Sequence, residues 1–311
     1  MISDVSETTK KKKLLIIKTG AAGDVVRTTT LLHAFKMWDI DWITAPENSE
    51  LLRNNLLSNV LTDPASIDPE KTYDLVINLE DDERYISRIS RRLRYTRIFG
   101  SFIDESGHLS YSPDSAEWFD IGLVSRHGLE KANVLKLENR RSYQDIIFSC
   151  LGFKFKGERY VIPEHAPESD LRGDIAISPK AGKRWPIKDW FYFDKLIEAL
   201  SRDYKVTVLP TRQTLLQHIS DVKHHKLLIS PDSLPMHLAM GLGVQCIAIF
   251  TCTSPWEIHD YGLLTKIISP KLSNYWYSRT YHEDAVTAVS FHEVYSLVLQ
   301  TLETINIKRA S

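Results

Sequence analysis

Residues 14–35 read LLIIKTGAAGDVVRTTTLLHAF, a short apolar run followed by a turn with two glycines and then by apolar residues at helical spacing. The run from Leu14 to Ile17 is typical of a buried strand, and the residues after Asp24 are typical of a helix. A strand that enters a helix through such a turn begins many α/β domains that handle nucleotides. Gly20 and Gly23 supply only G-x-x-G, without the third glycine of the dinucleotide fingerprint. A dinucleotide oxidoreductase is therefore the least favoured interpretation.

Asp24 stands at the mouth of this turn. A carboxylate there suits a general base better than a pyrophosphate contact, because two anions repel each other. The alternative is a structural role as a helix N-cap.

A second informative segment, residues 230–243, reads SPDSLPMHLAMGLG and follows a strand-like run. Asp232 or Ser233 is predicted to cap the helix that begins here, since their oxygens can accept its first N–H groups. His237 falls in the first turn, where the helix dipole favours an anion. The pattern predicts a phosphate seat. The alternative is an ordinary capped helix with a packed histidine.

Strand-like and helix-like runs alternate along both halves of the chain. Such alternation predicts an α/β protein with two Rossmann-like, doubly wound parallel sheets. Residues 164–173, with scattered charge and a proline at Pro167, are typical of an interdomain linker.

The composition bounds the function. The 311 residues carry a formal net charge of −1, which gives no general attraction to nucleic acid. No apolar run approaches the ~20 residues that a membrane span needs. Cys150, Cys246 and Cys252 lack metal-site spacing, which favours a reducing, cytoplasmic compartment. Residues 1–12 are polar and end in lysines, as in a loose tail.

Four motifs occur in order along the chain: Ala21-Ala22-Gly23-Asp24, Lys183-Arg184-Trp185-Pro186, Asp232-Ser233-Leu234-Pro235-Met236-His237-Leu238-Ala239 and Phe250-Thr251-Cys252-Thr253-Ser254-Pro255. Together they resemble glycosyltransferase family 9, the heptosyltransferase family of lipopolysaccharide assembly. The segment Tyr73–Leu79 also looks like the family's fourth strand.

The resemblance implies the GT-B arrangement, in which two such sheets face each other across a cleft. The implied domains are an acceptor-side domain of residues 1–165 and a nucleotide-sugar-binding domain of residues 166–285. Residues 286–311 then form a terminal helix that crosses back to the first domain.

The resemblance also implies an inverting, metal-independent transfer of a sugar to a hydroxyl of a glycan or lipopolysaccharide-core acceptor. Asp24 would be the catalytic base, and the donor would be a nucleotide sugar, ADP-heptose in the leading interpretation, bound as a substrate and not as a cofactor. The donor-binding residues would be Ser178, Lys183, Asp232, Ser233, Leu234, His237 and Thr253.

The chain departs from the family pattern in three places. Leu234 and Thr251 replace glycines, and residues 210–215, PTRQTL, lack the acidic residue expected near the nucleoside. The diphosphate seat is predicted to be retained and the nucleoside pocket altered. A different nucleotide sugar, or a non-catalytic nucleotide-sugar-binding relative, stays open as an alternative.

Acceptor binding is assigned to Arg27, Arg91 and Arg92, the last two within a run of six arginines between residues 84 and 97. This run predicts a basic helix face for an anionic acceptor, in peripheral contact with the inner membrane leaflet. The alternative is a solvated face paired with the acidic run of residues 80–83. A second alternative is a metal-dependent glycosyltransferase that uses Glu80, Asp81 and Asp82 as its metal ligands.

Overall fold

The computed structural model describes residues 11–122 and 127–310, and the side chains up to residue 305. Most of the tail predicted for residues 1–12 lies outside this range. In the two described ranges, no helix combines the length and the apolar character that crossing a membrane requires.

The N-terminal sheet has six strands in the order β3-β2-β1-β4-β5-β6. They are β1 (Lys13–Ile17), β2 (Asp39–Ile43), β3 (Asn59–Leu61), β4 (Thr72–Asn78), β5 (Arg94–Ile103) and β6 (Leu109–Tyr111). Its helices are α1 (Ala22–Thr28), α2 (Leu31–Ala34), α3 (Glu83–Ser90), α4 (Ala116–Asp120), α5 (Gly128–Glu138) and α6 (Tyr143–Cys150). All pairs are parallel except β5 with β6, an antiparallel edge that sequence analysis did not predict.

The C-terminal sheet has five parallel strands in the order β11-β10-β9-β7-β8. They are β7 (Gly173–Ile177), β8 (Val206–Val208), β9 (His225–Pro231), β10 (Gln245–Phe250) and β11 (Leu264–Ile268). Its helices are α7 (Phe193–Leu200), α8 (Leu215–Lys223), α9 (Leu234–Leu242), α10 (Glu283–Val286) and α11 (Phe291–Ala310). The prediction of two Rossmann-like sheets is confirmed.

One apolar core runs across the boundary between the two domains. Leu14 of β1 and Val25 of α1 share it with Leu228 of β9 and Leu238 of α9. As in parallel sheets buried on both faces, successive residues of β1 enter different cores, because side chains alternate along a strand. This shared core sets α1 against α9.

The terminal helix α11 packs on the C-terminal domain. Val294, Val298 and Leu302 are buried in a second core with Leu196 of α7 and Ile229 of β9. These side chains cover one face of the C-terminal sheet, and the crossing of residues 286–311 back to the first domain stays a prediction. The apolar stripe of the helix matches a sheet face that would otherwise face water. The domain limits themselves remain a prediction.

Candidate active site

Both predicted segments lie where the strand order of a sheet reverses, between β1 and β4 and between β7 and β9. In open parallel sheets, ligands bind outside the carboxyl ends of the strands at this point. At the first reversal, Lys18 Nζ is 3.1 Å from Glu80 Oε1. At the second, Ser178 follows β7 and Asp232 follows β9.

Asp24 lies in the first turn of α1 and pairs with Arg27. Arg27 Nη2 is 2.7 Å and Arg27 Nε 2.9 Å from Asp24 Oδ1. Burial opposes ionisation of Asp24, but Arg27 and Lys18 outweigh it and lower its pKa overall. The side chain stays 35% exposed. Asp24 is not the N-cap, which is Ala21, so the structural alternative does not describe it.

The first turn of α9 lacks a side-chain cap. Ser233 is the N-cap residue, but its hydroxyl donates to the Pro231 carbonyl at 3.2 Å. Ser233 thus holds the predicted N-cap position, but the predicted side-chain hydrogen bond to a helix N–H is wrong for it and for Asp232, whose carboxylate is engaged elsewhere. Pro235 has no N–H and the Met236 N–H donates to the Ser233 carbonyl at 3.1 Å, so the Leu234 N–H is the donor of this turn that an anion would suit.

His237 of α9 connects the two segments directly. A Cβ added to Gly23 would lie 2.8 Å from His237 Cδ2, so a glycine is needed where α1 meets α9. Burial, reinforced by Arg27, lowers the pKa of His237 to about 4 and leaves the ring neutral at pH 7. Its Nδ1 is buried and has no hydrogen-bond partner among the described residues.

A buried lysine that sequence analysis missed holds Asp232. Lys188 Nζ is 2.8 Å from Asp232 Oδ2 and 3.0 Å from the Asp232 carbonyl oxygen. The Thr253 hydroxyl donates to the same carboxylate oxygen at 2.6 Å. Burial raises the pKa of Asp232, but Lys188 dominates and lowers it to about 2. Thr253 and Asp232 are therefore bonded to each other and are not two independent contacts for a donor.

The remaining predicted donor residues lie around this pair, with one exception. Ser178 is buried, and its backbone N–H donates to the Ile229 carbonyl at 3.0 Å. Leu234 begins α9 and packs against the shared core. Lys183 is exposed on the loop before the short 3-10 helix Pro186–Lys188.

The departure at Thr251 has a structural reason. Its hydroxyl donates to the Ile187 carbonyl at 2.9 Å, which ties the 3-10 helix to the end of β10. A glycine could not make this bond. Thr251 therefore helps to place Lys188 beside Asp232.

A carboxylate of the other domain contacts the altered segment of residues 210–215. Glu50 Oε2 accepts the Leu215 N–H at 2.8 Å, at the start of α8. Arg212 instead pairs with Asp221, with Nε 2.6 Å from Oδ2. The local sequence lacks a carboxylate here, but tertiary structure supplies one.

The three predicted acceptor residues are not together. Arg27 lies at the centre of the site, where its Nη1 is 3.9 Å from Glu257 Oε2. Arg91 and Arg92 instead line a cavity of about 390 Å³ on the N-terminal domain with Pro64, Ala65 and Arg88. A second cavity of about 600 Å³, at the ends of β1, β2 and β3, shares Pro64 and Arg88 with the first.

The acidic run before α3 has partners of its own. Glu80 pairs with Lys18, and Asp82 caps α3 by accepting the Tyr85 N–H at 2.8 Å. Arg94 pairs with Glu70 at 3.1 Å. Within residues 11–122 and 127–310, no group of three or more His, Cys, Asp or Glu side chains is arranged to hold a metal ion.

Two further charged residues complete the site and were missed. Glu257 follows β10 and is 13% exposed, and Lys136 of α5 lies 4.2 Å from the ring centre of Tyr277. Lys188, two residues after Pro186, had a weak signal because it follows a recognised motif. Glu257 had none, since only the contact between the domains brings it to Arg27. Lys136, on the same domain as Arg27, belongs to no motif.

Two Rossmann-like domains meet at their ligand-binding edges, with a carboxylate on one side and the start of α9 on the other, which is the GT-B arrangement. Residues 193–283 match the model of glycosyltransferase family 9, described as heptosyltransferase. The resemblance predicted from the four motifs is confirmed, and the enzyme class is glycosyltransferase. No curated protein matches the chain.

Solved structures with this fold include heptosyltransferases. Escherichia coli ADP-heptose lipopolysaccharide heptosyltransferase II matches with a TM-score of 0.62 and 16% identity, covering 94% of this chain and 99% of that one. E. coli WaaC with ADP-2-deoxy-2-fluoro heptose matches with a TM-score of 0.59 and 14% identity, covering 93% and 99%. The dodecameric, iron-containing heptosyltransferase TibC with ADP-D-beta-D-heptose has a TM-score of 0.55 and 10% identity, covering 95% and 77%.

Proposed function

We propose that the chain is an inverting, metal-independent glycosyltransferase that moves a sugar, heptose from ADP-heptose, onto a hydroxyl of an anionic glycan or lipopolysaccharide-core acceptor. The observation that carries this proposal is the contact between α1 and α9, where Gly23 and Asp24 meet His237 and the uncapped first turn of α9. Solved heptosyltransferases of the same fold hold ADP-heptose or its fluoro analogue.

The reaction follows from the charges on the two sides. The Asp24 carboxylate takes the proton of the acceptor hydroxyl as its oxygen attacks the anomeric carbon. The bond from that carbon to the diphosphate oxygen breaks, and the diphosphate leaves with the electron pair. The Leu234 N–H at the start of α9 and the side chains of Lys183 and His237 stabilise the leaving charge. A single displacement inverts the anomeric centre. We propose that the reaction takes place in the cytoplasm and is a step of lipopolysaccharide biosynthesis.

We expect ADP to raise the melting temperature most in a panel of ADP, GDP, UDP, CDP and dTDP. A ligand at a hundred times its Kd stabilises a protein by about 2.7 kcal/mol, which a thermal-shift assay resolves. Lys183→Ala should reduce the shift, because a cation near the diphosphate is lost, while Lys180→Ala on the same loop should not. A larger shift with another nucleotide would identify that nucleotide, and not ADP, as the one the donor carries. If no nucleotide shifted the melting temperature, nucleotide binding would be contradicted.

The basic cavity of Arg88, Arg91 and Arg92 is proposed as the acceptor's anion site, close to an anionic leaflet. We expect charge reversal by Arg91→Glu and Arg92→Glu to weaken binding to anionic vesicles and to flatten its salt dependence, since exposed charge pairs are screened by salt. Arg202→Glu, also exposed but on the C-terminal domain, is the matched control. Unchanged binding in the double variant would remove this role.

The metal-dependent and non-catalytic alternatives have their own tests. Turnover that survives a strong chelator would exclude the former. Nucleotide-sugar binding without transfer or donor hydrolysis would favour the latter.

A further inference from the structure

Two carboxylates from different domains share one arginine in the site. Arg27 contacts Asp24 through Nε and Nη2, at 2.9 and 2.7 Å, and Glu257 through Nη1, at 3.9 Å. The guanidinium also stacks on Tyr143, 3.9 Å from the ring centre. Because a guanidinium is planar, the contacts through opposite nitrogens place it between the two acids.

Glu257 is held in place from both domains. The Tyr143 N–H of α6 donates to its carbonyl at 2.9 Å, and the Tyr277 hydroxyl donates to its Oε1 at 3.4 Å. Its side chain is 13% exposed. The first bond fixes the main chain of Glu257 to the N-terminal domain, and the second orients its carboxylate beside Arg27.

An arginine-paired carboxylate is a poor proton acceptor, because the cation stabilises its ionised form. Asp24 has this problem, since Arg27 and Lys18 beside it are cationic at neutral pH and lower its pKa. A second anion on Arg27 offsets part of that cationic field. Glu257 is placed to be this anion.

We propose that Glu257 is a positioning residue that, by sharing Arg27 across the domain boundary, leaves Asp24 a stronger base than its own ion pair would allow. Asp24 is therefore fully competent only when the C-terminal domain brings Glu257 to Arg27. This inference rests on the proposed role of Asp24 as the base.

Other charged groups surround Asp24 and Glu257, and the test must distinguish their effects from that of Glu257 on Asp24. Asp24 faces Arg27, Lys18 and His237. Glu257 faces Lys136, Arg27, Asp24, Asp232 and Tyr277. Burial raises the pKa of Glu257, while Lys136 and Arg27 oppose that rise. The two carboxyls are coupled, so their titration belongs to the pair.

The test is the titration of the Asp24 carboxyl by carbon-13 NMR in the full chain without ligand, assigned by its loss in Asp24→Asn. In Glu257→Gln we expect the Asp24 pKa to fall by about 0.5 to 1 unit, since one anion near Arg27 is lost. The acid limb of nucleoside-diphosphate release from ADP-heptose should move the same way, with kcat lowered by about two- to fivefold. Glu70→Gln, which removes an exposed arginine-paired carboxylate, is the matched control.

An unmoved Asp24 titration in Glu257→Gln overturns the inference, even if kcat falls, because a loss of turnover alone indicates a structural role. If that variant does not fold, Glu257→Asp is used instead. It should lower the Asp24 pKa by a smaller amount, and an unchanged Asp24 pKa would again overturn the inference. Full turnover in Asp24→Asn would instead defeat the proposed base and leave the measured coupling intact.

Discussion

Asp24→Asn is expected to lower kcat by about 10²- to 10⁴-fold, the range that a positioned general base contributes. The amide keeps the size of the side chain but cannot take the acceptor proton. Affinity for the donor should barely change, because the proposed diphosphate contacts lie on the C-terminal domain. The measurement is steady-state release of nucleoside diphosphate, with a thermal-shift titration for affinity.

Asp145→Asn is the matched control for this prediction. Asp145 also lies in the first turn of a helix, α6, and also pairs with an arginine, Arg141, at 2.6 Å. Its loss should leave kcat near that of the unsubstituted protein. Near-normal turnover in Asp24→Asn would show that the base is elsewhere.

Lys188→Met is expected to lower the free energy of unfolding by about 3 to 5 kcal/mol, since it leaves Asp232 as an uncompensated buried charge. Methionine keeps an unbranched apolar stem of similar length, so the loss of charge dominates. Lys183→Met, on the exposed loop, should change stability by roughly 0.5 kcal/mol or less. Urea unfolding of both variants measures the difference.

The pKa of Asp232 predicts how the stability difference between the two lysine variants changes with pH. The Asp232 pKa is lowered from 3.8 to about 2, so its contribution to stability is present above pH 3.8 and is lost as the pH falls towards 2. In Lys188→Met the partner is gone, and acidification should then stabilise the folded state relative to the control by neutralising Asp232. Equal unfolding free energies for the two lysine variants would contradict the buried ion pair.

The segment around Asp24 shows how far local pattern predicts this site. A strand, a glycine turn and a helix can be read from periodicity, because burial on a parallel sheet demands apolar runs and a helix demands a 3.6-residue repeat. The helix proved to be two, α1 and α2, with a break at Thr29 and Thr30. At the break, threonine hydroxyls donate to carbonyls of the preceding turn, as Thr29 Oγ1 does to the Val26 carbonyl. A pattern of apolar residues does not predict such bonds.

The lysines show where local pattern fails. Lys183 belongs to a motif and lies in solvent, whereas Lys188 belongs to none and is buried against Asp232. The bond from Thr251 to Ile187 and the packing of the loop on β10 decide between them. Pairing across 44 residues is a tertiary event, and no local spacing encodes it.

The amino-acid order alone determined the two Rossmann-like domains, the family resemblance and the place of Asp24 and His237, because each depends on neighbours within one strand–turn–helix unit. Tertiary structure alone decided which charges meet: Glu50 at α8, Lys188 at Asp232, and Glu257 at Arg27. Charge pairing depends on distance in space and on exclusion of water, and the contact between the two domains sets both.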